Sequence, residues 1–503
     1  MANMRVSNSI SQLLTILFPP ARRLAGPFHR RRPTFAQDPN RNLPPLPDPW
    51  RDERWFRGDF PPRAHNSVEV LHDGEEYFRD LYAALLSAKQ RVTICGWSVT
   101  PRIPLLRGED TASSVLADVL AEVSRRAEVF VLIWSGSPVL FAPTERTTEQ
   151  ARQKLLERAP SVKVALDDRA PFSHDHHQKA VTIDDRIAFV GGMDLTTDQG
   201  DRWDSNDHPL RFGTNWHDVQ LGIRGEAVQD VEANFCQRWN AVTGERLEPL
   251  PPRRPHARWE TPLQIVRTIP AGIYPFAPKG HHGIYHSLIA AIRRAERFIY
   301  LENQYIWAPE IIEALVDAMN RRRQHPFRVL LVLPARATEG RYDNDQHVEL
   351  LRNEDAGRHL FHVYSLYTGG PAPGTTAFGF RPIYVHAKVS IVDDEWFSVG
   401  SANLNRRGLA SDTELNVQGI SPGVARTLRL RLWSQHLGVP ERQIAKADPA
   451  ALIDGEWKSA ADAMEAAIQN GTLPPTSKVR TYQPGRTPGS RFLDLLQTAT
   501  LEH

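Results

Sequence analysis

The chain has few cysteines and no long apolar segment, and each absence excludes a class of protein. Cys95 and Cys236 are the only cysteines among 503 residues. This excludes a disulfide scaffold and a cysteine-rich zinc module, because both need several cysteines at short spacings. We therefore expect two buried free thiols. No apolar run reaches the ~20 residues that a membrane-spanning helix requires, and the composition, 41% hydrophobic and 24% charged, is typical of a globular protein.

A strong excess of charge is also lacking. The formal net charge is +2, so the overall charge indicates no particular partner, and we expect most short basic runs to be solvated surface. No segment combines a basic stripe with interleaved aromatic residues, and we therefore expect no nucleic-acid partner. Lysine is scarce, with nine among the 61 basic residues. A lysine at a repeated position is thus informative, because lysine and arginine differ in shape, hydration and reach.

One spacing that contains lysine occurs twice. A histidine, a lysine two positions later and an aspartate five positions after the lysine occur as His177, Lys179 and Asp184, and again as His386, Lys388 and Asp393. Equivalent residues are 209 positions apart. Each copy continues to two small residues and a polar one, which are Gly191, Gly192 and Asp194 in the first copy and Gly400, Ser401 and Asn403 in the second. Two copies in one register indicate an internal duplication.

The segments that follow the two lysines predict how the motif side chains are arranged. Both segments, AVTID and VSIVD, are apolar and rich in β-branched residues, which predicts strands. Side chains two positions apart in a strand share a face, so each histidine projects together with its lysine. Imidazole can attack phosphorus and transfer protons near neutral pH, and an ammonium group stabilises charge on phosphate oxygens. Two such pairs in duplicated halves predict an enzyme with one composite active site.

The duplication extends beyond the motifs. Residues 81–101 and 284–309 each predict an amphipathic helix, a strand and a loop, and buried strands are predicted at 128–134 and 327–334. Strands that alternate with helices predict an α/β fold, here with two similar lobes, each a mixed sheet flanked by helices. The predicted divisions are a flexible N-terminal extension (1–60), a first lobe (61–247), a linker rich in proline and arginine (248–262), a second lobe (263–440) and a C-terminal helical tail (441–503).

The paired motifs resemble the signature of the phospholipase D superfamily, in which His-x-Lys-x4-Asp occurs once in each half. Further segments are similar to the eukaryotic-type phosphatidylcholine phospholipases D, and they read FVGGMDL (189–195), TNWHDVQLGIRG (214–225), IYLENQYIW (299–307) and SVGSANLNRRGLASDTELNV (398–417). The resemblance implies two lobes related by a pseudo-two-fold axis, with one active site between them. It also implies a phosphohistidine intermediate and chemistry that needs no metal ion or other cofactor.

The resemblance assigns roles to individual residues. It implies a catalytic set of His177, Lys179, Asp184, Asp218, His386, Lys388, Asp393 and Glu414, and phosphate contacts from Gly192, Asp194, Ser401 and Asn403. The spacing does not distinguish the histidines, but the resemblance favours His177 as nucleophile and His386 as acid and base. Asp218 is expected to orient His177, and Glu414 to orient His386. Asp184 and Asp393 fall at predicted strand ends, which favours a structural role for both.

The implied function is hydrolysis of the head-group phosphodiester of a glycerophospholipid to phosphatidic acid. Phosphatidylcholine or phosphatidylethanolamine is the expected substrate, and water or another alcohol the acceptor. We expect a monomer that contacts membranes peripherally, and that is cytoplasmic or exported without a cleaved signal. Long loops are predicted at 135–150 and 364–382, where Phe141, Phe378 and Phe380 would face the lipid at the mouth of the site.

Other functions are open at this point. A phosphatidyltransferase of the cardiolipin synthase type, a nucleic-acid phosphodiesterase and an inactive lipid-binding scaffold each account for part of the pattern. The run His174, Asp175, His176 and His177 also offers ligands for a metal ion. Lys179 counts against a metal there, because it would place a cation beside the ion.

Overall fold

The computed structural model describes residues 54–138, 142–170, 174–211, 213–252, 254, 256, 258–321, 326–338, 341–371 and 378–485. The strands in these ranges are β1 (Arg63–His72), β2 (Arg91–Gly96), β3 (Glu128–Trp134), β4 (Lys163–Asp167), β5 (Ala180–Ile183), β6 (Ile187–Gly191), β7 (Asn215–His217), β8 (Val219–Gly225), β9 (Thr261–Ile269), β10 (His281–His282), β11 (Phe298–Glu302), β12 (Arg328–Val332), β13 (Phe361–Pro371), β14 (Phe378–Val385), β15 (Val389–Val392), β16 (Trp396–Gly400), β17 (Glu414–Ile420) and β18 (Val479–Thr481). The helices are α1 (Asp73–Leu86), α2 (Leu116–Val123), α3 (Glu145–Arg158), α4 (Ala227–Thr243), α5 (Gly283–Arg294), α6 (Pro309–Arg321), α7 (Arg341–Asp355), α8 (Pro422–Leu437), α9 (Glu441–Ile444), α10 (Pro449–Leu452) and α11 (Lys458–Asn470).

Most of the strands form one continuous hydrogen-bonded sheet. Its order is β4, β3, β2, β5, β6, β8, β1, β9, β17, β16, β15, β11, β12, β13, β14, β7. The short strands β10 and β18 pair with β9 and β13. Strands β2 to β4, β11 to β13, and the pair β14 and β7 are parallel, whereas the other pairs are antiparallel. This mixed sheet with its flanking helices confirms the predicted α/β fold.

The strand pattern occurs once in each half of the chain. In the first half three parallel strands, β4, β3 and β2, are followed by the antiparallel strands β5, β6 and β8. In the second half β13, β12 and β11 are followed in the same way by β15, β16 and β17. Each motif lysine directly precedes the first antiparallel strand of its half, β5 or β15. The duplication in the sequence is therefore a duplication of strand pairing, while the pseudo-two-fold axis stays a prediction.

Helices α4 and α8 follow β8 and β17 and cover the sheet at equivalent places. Helix α4 buries Phe235 and Trp239, and α8 buries Trp433. Burying aromatic side chains of this size supplies much of the free energy that holds a helix against a sheet. Both helices end where a glycine adopts the left-handed conformation, at Gly244 (φ 76°) and Gly438 (φ 66°), which is a common way to end a helix.

The two cysteines lie in this core. Cys95 on β2 and Cys236 on α4 are both free and buried, which confirms the expectation of two free thiols. Burial raises the pKa of the Cys95 thiol and raises that of Cys236 to about 12. Both are therefore thiols rather than reactive thiolates near neutral pH.

The C-terminal segment packs on the second half of the sheet. Helix α11 lies within the segment predicted as a C-terminal helical tail, and β18 pairs with β13. The indole ring of Trp457 is fully buried between aromatic rings. Its centroid lies 5.6 Å from that of Trp433, 6.3 Å from that of Tyr300 and 5.4 Å from that of Tyr364. Within the ranges given above, none of the helices combines the length and apolar content needed to cross a membrane.

The predicted N-terminal extension falls mostly outside the described residues, which begin at residue 54. Its last residues contact the sheet, because the Asp59 carboxylate lies 2.6 Å from the Arg267 guanidinium on β9. The backbone N–H of Phe56 also donates to the side chain of Gln264 on the same strand, at 3.1 Å. The segment around residues 56–60 therefore belongs with the sheet.

The prediction of a long loop at 364–382 is wrong for most of its length. Strands β13 and β14 pair there as an antiparallel hairpin, with Gly370 opposite Gly379. The glycines and prolines suggested a loop, but aromatic residues between them extend the strands on both sides. Phe378 and Phe380 are half-buried at the start of β14, whereas residues 372–377 and Phe141 lie outside the described residues.

Candidate active site

Strand pairing between the halves brings each motif histidine next to the other half of the chain. Strand β14 runs parallel to β7, so that Val385 lies opposite His217, and the backbone N–H of His386 donates to the His217 carbonyl at 2.8 Å. In the same way His176 forms a parallel bridge with Thr413, and the N–H of His177 donates to the Thr413 carbonyl at 2.9 Å. His217 and Thr413, which supply these carbonyls, directly precede the predicted carboxylates Asp218 and Glu414.

The histidine–carboxylate pairs are consequently crossed between the halves. Nδ1 of His177 lies 2.9 Å from the Glu414 carboxylate, and Nδ1 of His386 lies 2.6 Å from the Asp218 carboxylate. The prediction that Asp218 orients His177 and Glu414 orients His386 is therefore wrong. The physical reason is the strand register. The segment before each histidine pairs with the segment before the carboxylate of the opposite half, so each histidine faces that carboxylate. Alignment of the repeats finds equivalent residues, but it does not show which half each one faces.

The pairing leaves Nε2 of each histidine for chemistry. Nδ1 of His177 also lies 3.1 Å from the Ser401 carbonyl, which can only accept a hydrogen bond, so Nδ1 carries the proton. The Asp218 carboxylate is placed to accept from Nδ1 of His386 in the same way. A neutral imidazole protonated at Nδ1 presents the lone pair of Nε2, which is the atom needed by a nucleophile or a base.

The motif lysines are buried beside these histidines. Lys179 Nζ donates to the carbonyl of His177 at 2.8 Å, and Lys388 Nζ donates to the carbonyl of His386 at 2.5 Å. Lys179 also lies 3.0 Å from the carboxylate of Asp194. Burial lowers the pKa of Lys388 to about 7, although the Asp218 carboxylate opposes this shift. The two lysines thus stand in different electrostatic surroundings.

The polar residues predicted to contact phosphate fall into two groups. Asp194 binds Lys179 and accepts from the Trp97 N–H at 2.8 Å, whereas Oδ1 of Asn403 is buried and has no hydrogen-bond partner among the described residues. This oxygen can accept a hydrogen bond from a ligand, but it cannot donate one to a phosphate oxygen. The N–H groups of Gly192 and Ser401 donate to backbone carbonyls, at 3.2 and 3.1 Å, so these groups are used within the protein.

Gly192 and Ser401 instead support the two carboxylates. A Cβ atom at Gly192 would lie 2.1 Å from Oδ1 of Asp218, so the close approach requires glycine. The Ser401 hydroxyl donates to the Glu414 carboxylate and accepts from the Leu415 N–H at 3.0 Å. For these two residues the geometry indicates support of the carboxylates rather than the predicted phosphate contact.

Asp184 and Asp393 lie away from the histidines, at the far ends of β5 and β15. Asp184 accepts hydrogen bonds from the backbone N–H groups of residues 89–91, at 2.7 to 2.9 Å. Asp393 accepts equivalent bonds from residues 296–298, at 2.7 to 2.8 Å. Each carboxylate thus fixes the turn before β2 or β11, which supports the structural role that their position at the strand ends predicts.

Burial and positive charge control protonation in the site. Burial lowers the pKa of His177 and of His386 well below the ordinary value, and Lys179 and Lys388 lower both further. Because each lysine lowers the pKa of both histidines, the two histidine–carboxylate pairs belong to one site. Burial also raises the pKa of Asp218 to about 6, and that of Glu414 well above its ordinary value. Such a site is short of negative charge and favours an anionic ligand such as a phosphodiester.

Sequence reasoning missed the aromatic and cationic residues around His386. The Trp216 ring lies 5.0 Å from the imidazole of His386 and 4.9 Å from the ring of Tyr384. The guanidinium of Arg202 lies over Trp216 at 3.8 Å, and it is one of the cations that lower the pKa of His386. Trp216 lies in the segment 214–225, which carried the family resemblance, but neither Trp216 nor Arg202 has a counterpart in the repeat that would have identified it.

The metal site considered for residues 174–177 does not form from those residues. Nδ1 of His176 bonds the Thr413 hydroxyl at 2.8 Å, and its Nε2 lies 2.9 Å from Asp167. Asp175 accepts from the indole N–H of Trp97 at 3.1 Å, and His177 faces Glu414. The side chains therefore point to separate partners and do not converge on one point.

Comparisons with known proteins indicate the same superfamily as the paired motifs. The family model described as "Phospholipase D" matches residues 84–215, and that described as "Cardiolipin synthase, PLD-like domain" matches residues 288–434. Phospholipase D A of Dictyostelium discoideum is 27% identical over 473 residues, which cover 76% of this chain and 36% of that protein. Phospholipase D alpha 4 of Arabidopsis thaliana is 24% identical over 524 residues, which cover 79% of this chain and 68% of that protein.

A solved structure supports the fold. The crystal structure of phosphatidylserine synthase from Haemophilus influenzae Rd KW20 matches with a TM-score of 0.51 at 12% identity, covering 88% of this chain and 95% of that one. At this identity the likeness concerns the fold alone. The chain spans about a third of the length of the Dictyostelium relative, so function must be argued from the site itself.

Proposed function

Because the chain belongs to the phospholipase D superfamily and resembles its eukaryotic type, we propose that it cleaves the head-group phosphodiester of glycerophospholipids, and yields phosphatidic acid. The observation that carries the proposal is the pair of crossed histidine–carboxylate contacts in one site, at 2.9 and 2.6 Å. Each histidine has a buried lysine beside it and an Nε2 atom left for reaction. These are the groups that two successive displacements at one phosphorus atom require.

In the first step Nε2 of His177 attacks phosphorus and forms a P–N bond. The P–O bond to the head group breaks, and His386, protonated at Nε2, gives its proton to the departing alkoxide, so that a neutral alcohol leaves. Lys179 and Lys388 stabilise charge on the non-bridging oxygens. The anionic substrate itself favours the charged form of His386, because it adds negative charge to a site that is short of it.

In the second step His386, now neutral, removes a proton from water. The resulting hydroxide attacks phosphorus, the P–N bond to His177 breaks, and phosphatidic acid is formed. An alcohol that reaches the same position would give a phosphatidylalcohol by the same chemistry. Two in-line displacements retain the configuration at phosphorus.

The surroundings of the two carboxylates support the assignment of His177 as nucleophile. Burial raises the pKa of both carboxylates, but at Asp218 the cations Lys388, His217 and Arg202 oppose this shift. At Glu414 Lys179 opposes the shift, whereas the carboxylates of Asp412 and Asp175 raise the pKa further. The charges around Asp218 thus favour its ionised form more than those around Glu414 do, and an ionised partner stabilises the imidazolium that a general acid at His386 requires.

A glycerophospholipid is the proposed substrate class, with phosphatidylcholine or phosphatidylethanolamine as first candidates. The support is the family resemblance together with the half-buried Phe378 and Phe380 on β14, a strand that leads directly to His386. Large apolar side chains at the edge of a site can contact acyl chains at a membrane surface. We propose peripheral contact with the membrane through this edge.

Product analysis tests the function. Purified protein is incubated with phosphatidylcholine vesicles in chelator, with and without dilute butanol, alongside His177→Ala as the matched control. Free choline, phosphatidic acid and, with butanol, phosphatidylbutanol are the expected products, and all three should vanish in the control. Release of nucleotides from nucleic acid without choline release, or loss of activity in chelator with recovery on adding a divalent ion, would contradict the proposal.

A further inference from the structure

A chain of buried histidines and carboxylates lies behind Asp218. His217 stands between two acids, with Nδ1 at 2.9 Å from Asp73 and Nε2 at 3.1 Å from Glu302. Glu302 also accepts from Nε2 of His436, at 2.5 Å, and from the hydroxyl of Tyr300. These side chains are at most 2% exposed. Because both ring nitrogens of His217 face carboxylates, each nitrogen is placed to donate, and the ring is suited to carry a proton on both.

This chain is tied directly to the pair that contains His386. The backbone N–H of Asp218 donates to the carboxylate of Asp73 at 3.1 Å, and the N–H of Asp73 donates to the carbonyl of Asp218 at 2.9 Å. The carbonyl of His217 accepts from the N–H of His386 at 2.8 Å. His217 directly precedes Asp218 in the chain. Its backbone carbonyl accepts from His386, and its ring contacts Asp73, which in turn accepts from the backbone N–H of Asp218.

The equivalent bridge beside the other histidine–carboxylate pair also contains an imidazole, but in other surroundings. There His176 pairs with Thr413, in the register in which Val385 pairs with His217. Nδ1 of His176 contacts the hydroxyl of Thr413, so one carboxylate, Asp167, faces this ring instead of two. Burial lowers the pKa of both rings, but two carboxylates raise that of His217 well above its ordinary value, whereas the pKa of His176 stays below it.

We infer that His217 is a positioning residue: a buried imidazolium, held between Asp73 and Glu302, that keeps Asp218 ionised and in place so that His386 can act as general acid. The inference rests on the proposed function and adds a residue to it. The residue before Glu414 is Thr413, which carries no charge, and a nucleophilic His177 needs no adjacent imidazolium. The difference between the halves thus matches the difference between the two proposed roles.

Other titratable groups also face this chain, and they determine what the test must separate. His208 lies 3.2 Å from Asp73, and His436 contacts Glu302, while the charges of Asp73 and His217 act on the buried His72. The same atoms form two groups able to hold a metal ion, Asp73 with His208 and His217, and His217 with Glu302 and His436. A metal-bound His217 would lack one of its two protons and would not act as an imidazolium.

The test varies the leaving group. Head-group choline is a poor leaving group that needs a proton, whereas nitrophenol leaves as an anion and needs none. We compare the single-turnover release of choline from phosphatidylcholine with the burst of nitrophenol from phosphatidyl-p-nitrophenol. In His217→Asn the amide can replace the bond to Asp73 without its charge, and Glu302 keeps two donors. Choline release should fall about 10²-fold, at the low end of what a general acid contributes, while the nitrophenol burst is retained.

The matched control is His436→Gln, which changes the same buried chain at its far end. We expect it to leave the choline-to-nitrophenol ratio at the wild-type value. The ratio is measured on one preparation and does not depend on the fraction of folded protein, and His217→Gln provides a second replacement that keeps the bond to Glu302. An equal fall on both substrates in both His217 variants, or the same ratio change in His436→Gln, would overturn the inference.

Two further outcomes separate the inference from other failures. If chelator-treated wild type reproduces the ratio of His217→Asn, the chain holds a metal ion and the inference is overturned. If wild type releases neither choline nor nitrophenol, the proposed function fails first. Wild-type activity on both substrates with an unchanged ratio in the His217 variants would overturn the positioning role alone.

Discussion

The two histidine–carboxylate pairs share one geometry and differ in what surrounds it. In both, Nδ1 faces a carboxylate of the opposite half, and the adjacent lysine donates to the carbonyl of its own histidine. Lys179 has an acidic partner in Asp194, whereas the equivalent of Asp194 in the second half is the neutral Asn403. The duplicated fold thus supplies the frame, and single differences in charge distinguish the halves.

The comparison teaches why a duplicated site need not be symmetric in its chemistry. A nucleophile must be a neutral imidazole, while a general acid must start as an imidazolium. Two identical environments would favour one protonation state for both rings. In the proposed mechanism, different charges around the two carboxylates give each histidine a different task, and unequal environments are a general way of separating acid from base.

Removing either histidine is the strongest way to break the comparison. His177→Ala and His386→Ala should each lower choline release by about four orders of magnitude or more, because nucleophile and acid act as one unit. The double variant should be little worse than either single one. Steady-state rates with phosphatidylcholine measure this, and additive losses would show that the histidines act independently.

Replacing each carboxylate with the corresponding amide tests the crossed pairing itself. Asp218→Asn and Glu414→Gln should each lower choline release by up to about 10⁴-fold, because an amide favours the wrong histidine tautomer. In double-mutant cycles Asp218→Asn should couple with His386→Ala and combine nearly additively with Ser401→Ala, which touches only the Glu414 pair. A cycle in which Asp218 couples to the Glu414 pair as strongly as to His386 would contradict the crossed arrangement.

The pH dependence of activity should reflect the groups around His386 more than those around His177. Protonation of Asp218, with a pKa of about 6, removes the acceptor for His386 as the pH falls, and Lys388, with a pKa of about 7, loses its charge as the pH rises. We expect a bell-shaped profile of kcat at saturating soluble short-chain lipid, whose phosphate favours the charged form of His386, falling about tenfold per pH unit beyond each limb. Lys388→Arg should move the alkaline limb upward, since guanidinium stays charged. An alkaline limb that this variant leaves in place would contradict the role of Lys388.

Much of the fold could be predicted from the sequence, because the repeat fixes it twice. The apolar segments after Lys179 and Lys388 form β5 and β15 as expected, and the α/β fold follows from strands that alternate with helices. The crossed pairing could not be predicted, since it depends on register between segments about 200 residues apart. The segment 364–382 was misjudged because composition favours a turn where cross-strand pairing favours a hairpin.

The site was predictable only where it repeats. His177, His386 and their lysines have counterparts 209 positions apart, and this spacing identifies them. Asp218 and Glu414 are not at that spacing and were identified through the family resemblance. His217 has Thr413 as its counterpart, so no repeated pattern marks it, and its two carboxylates come from distant parts of the chain. Sequence spacing identifies duplicated chemistry, whereas the features that distinguish the halves require the folded structure.

Trapping the intermediate tests the central claim, that the two histidines have different roles, most directly. The His386→Asn and His177→Asn variants are mixed with phosphatidyl-p-nitrophenol labelled at phosphorus, quenched and mapped by peptide. The nitrophenyl group leaves without an acid, so we predict label on His177 in His386→Asn and no label in His177→Asn. Label on His386 in the His177→Asn variant would contradict the account, because it would make the histidines interchangeable or reverse their roles.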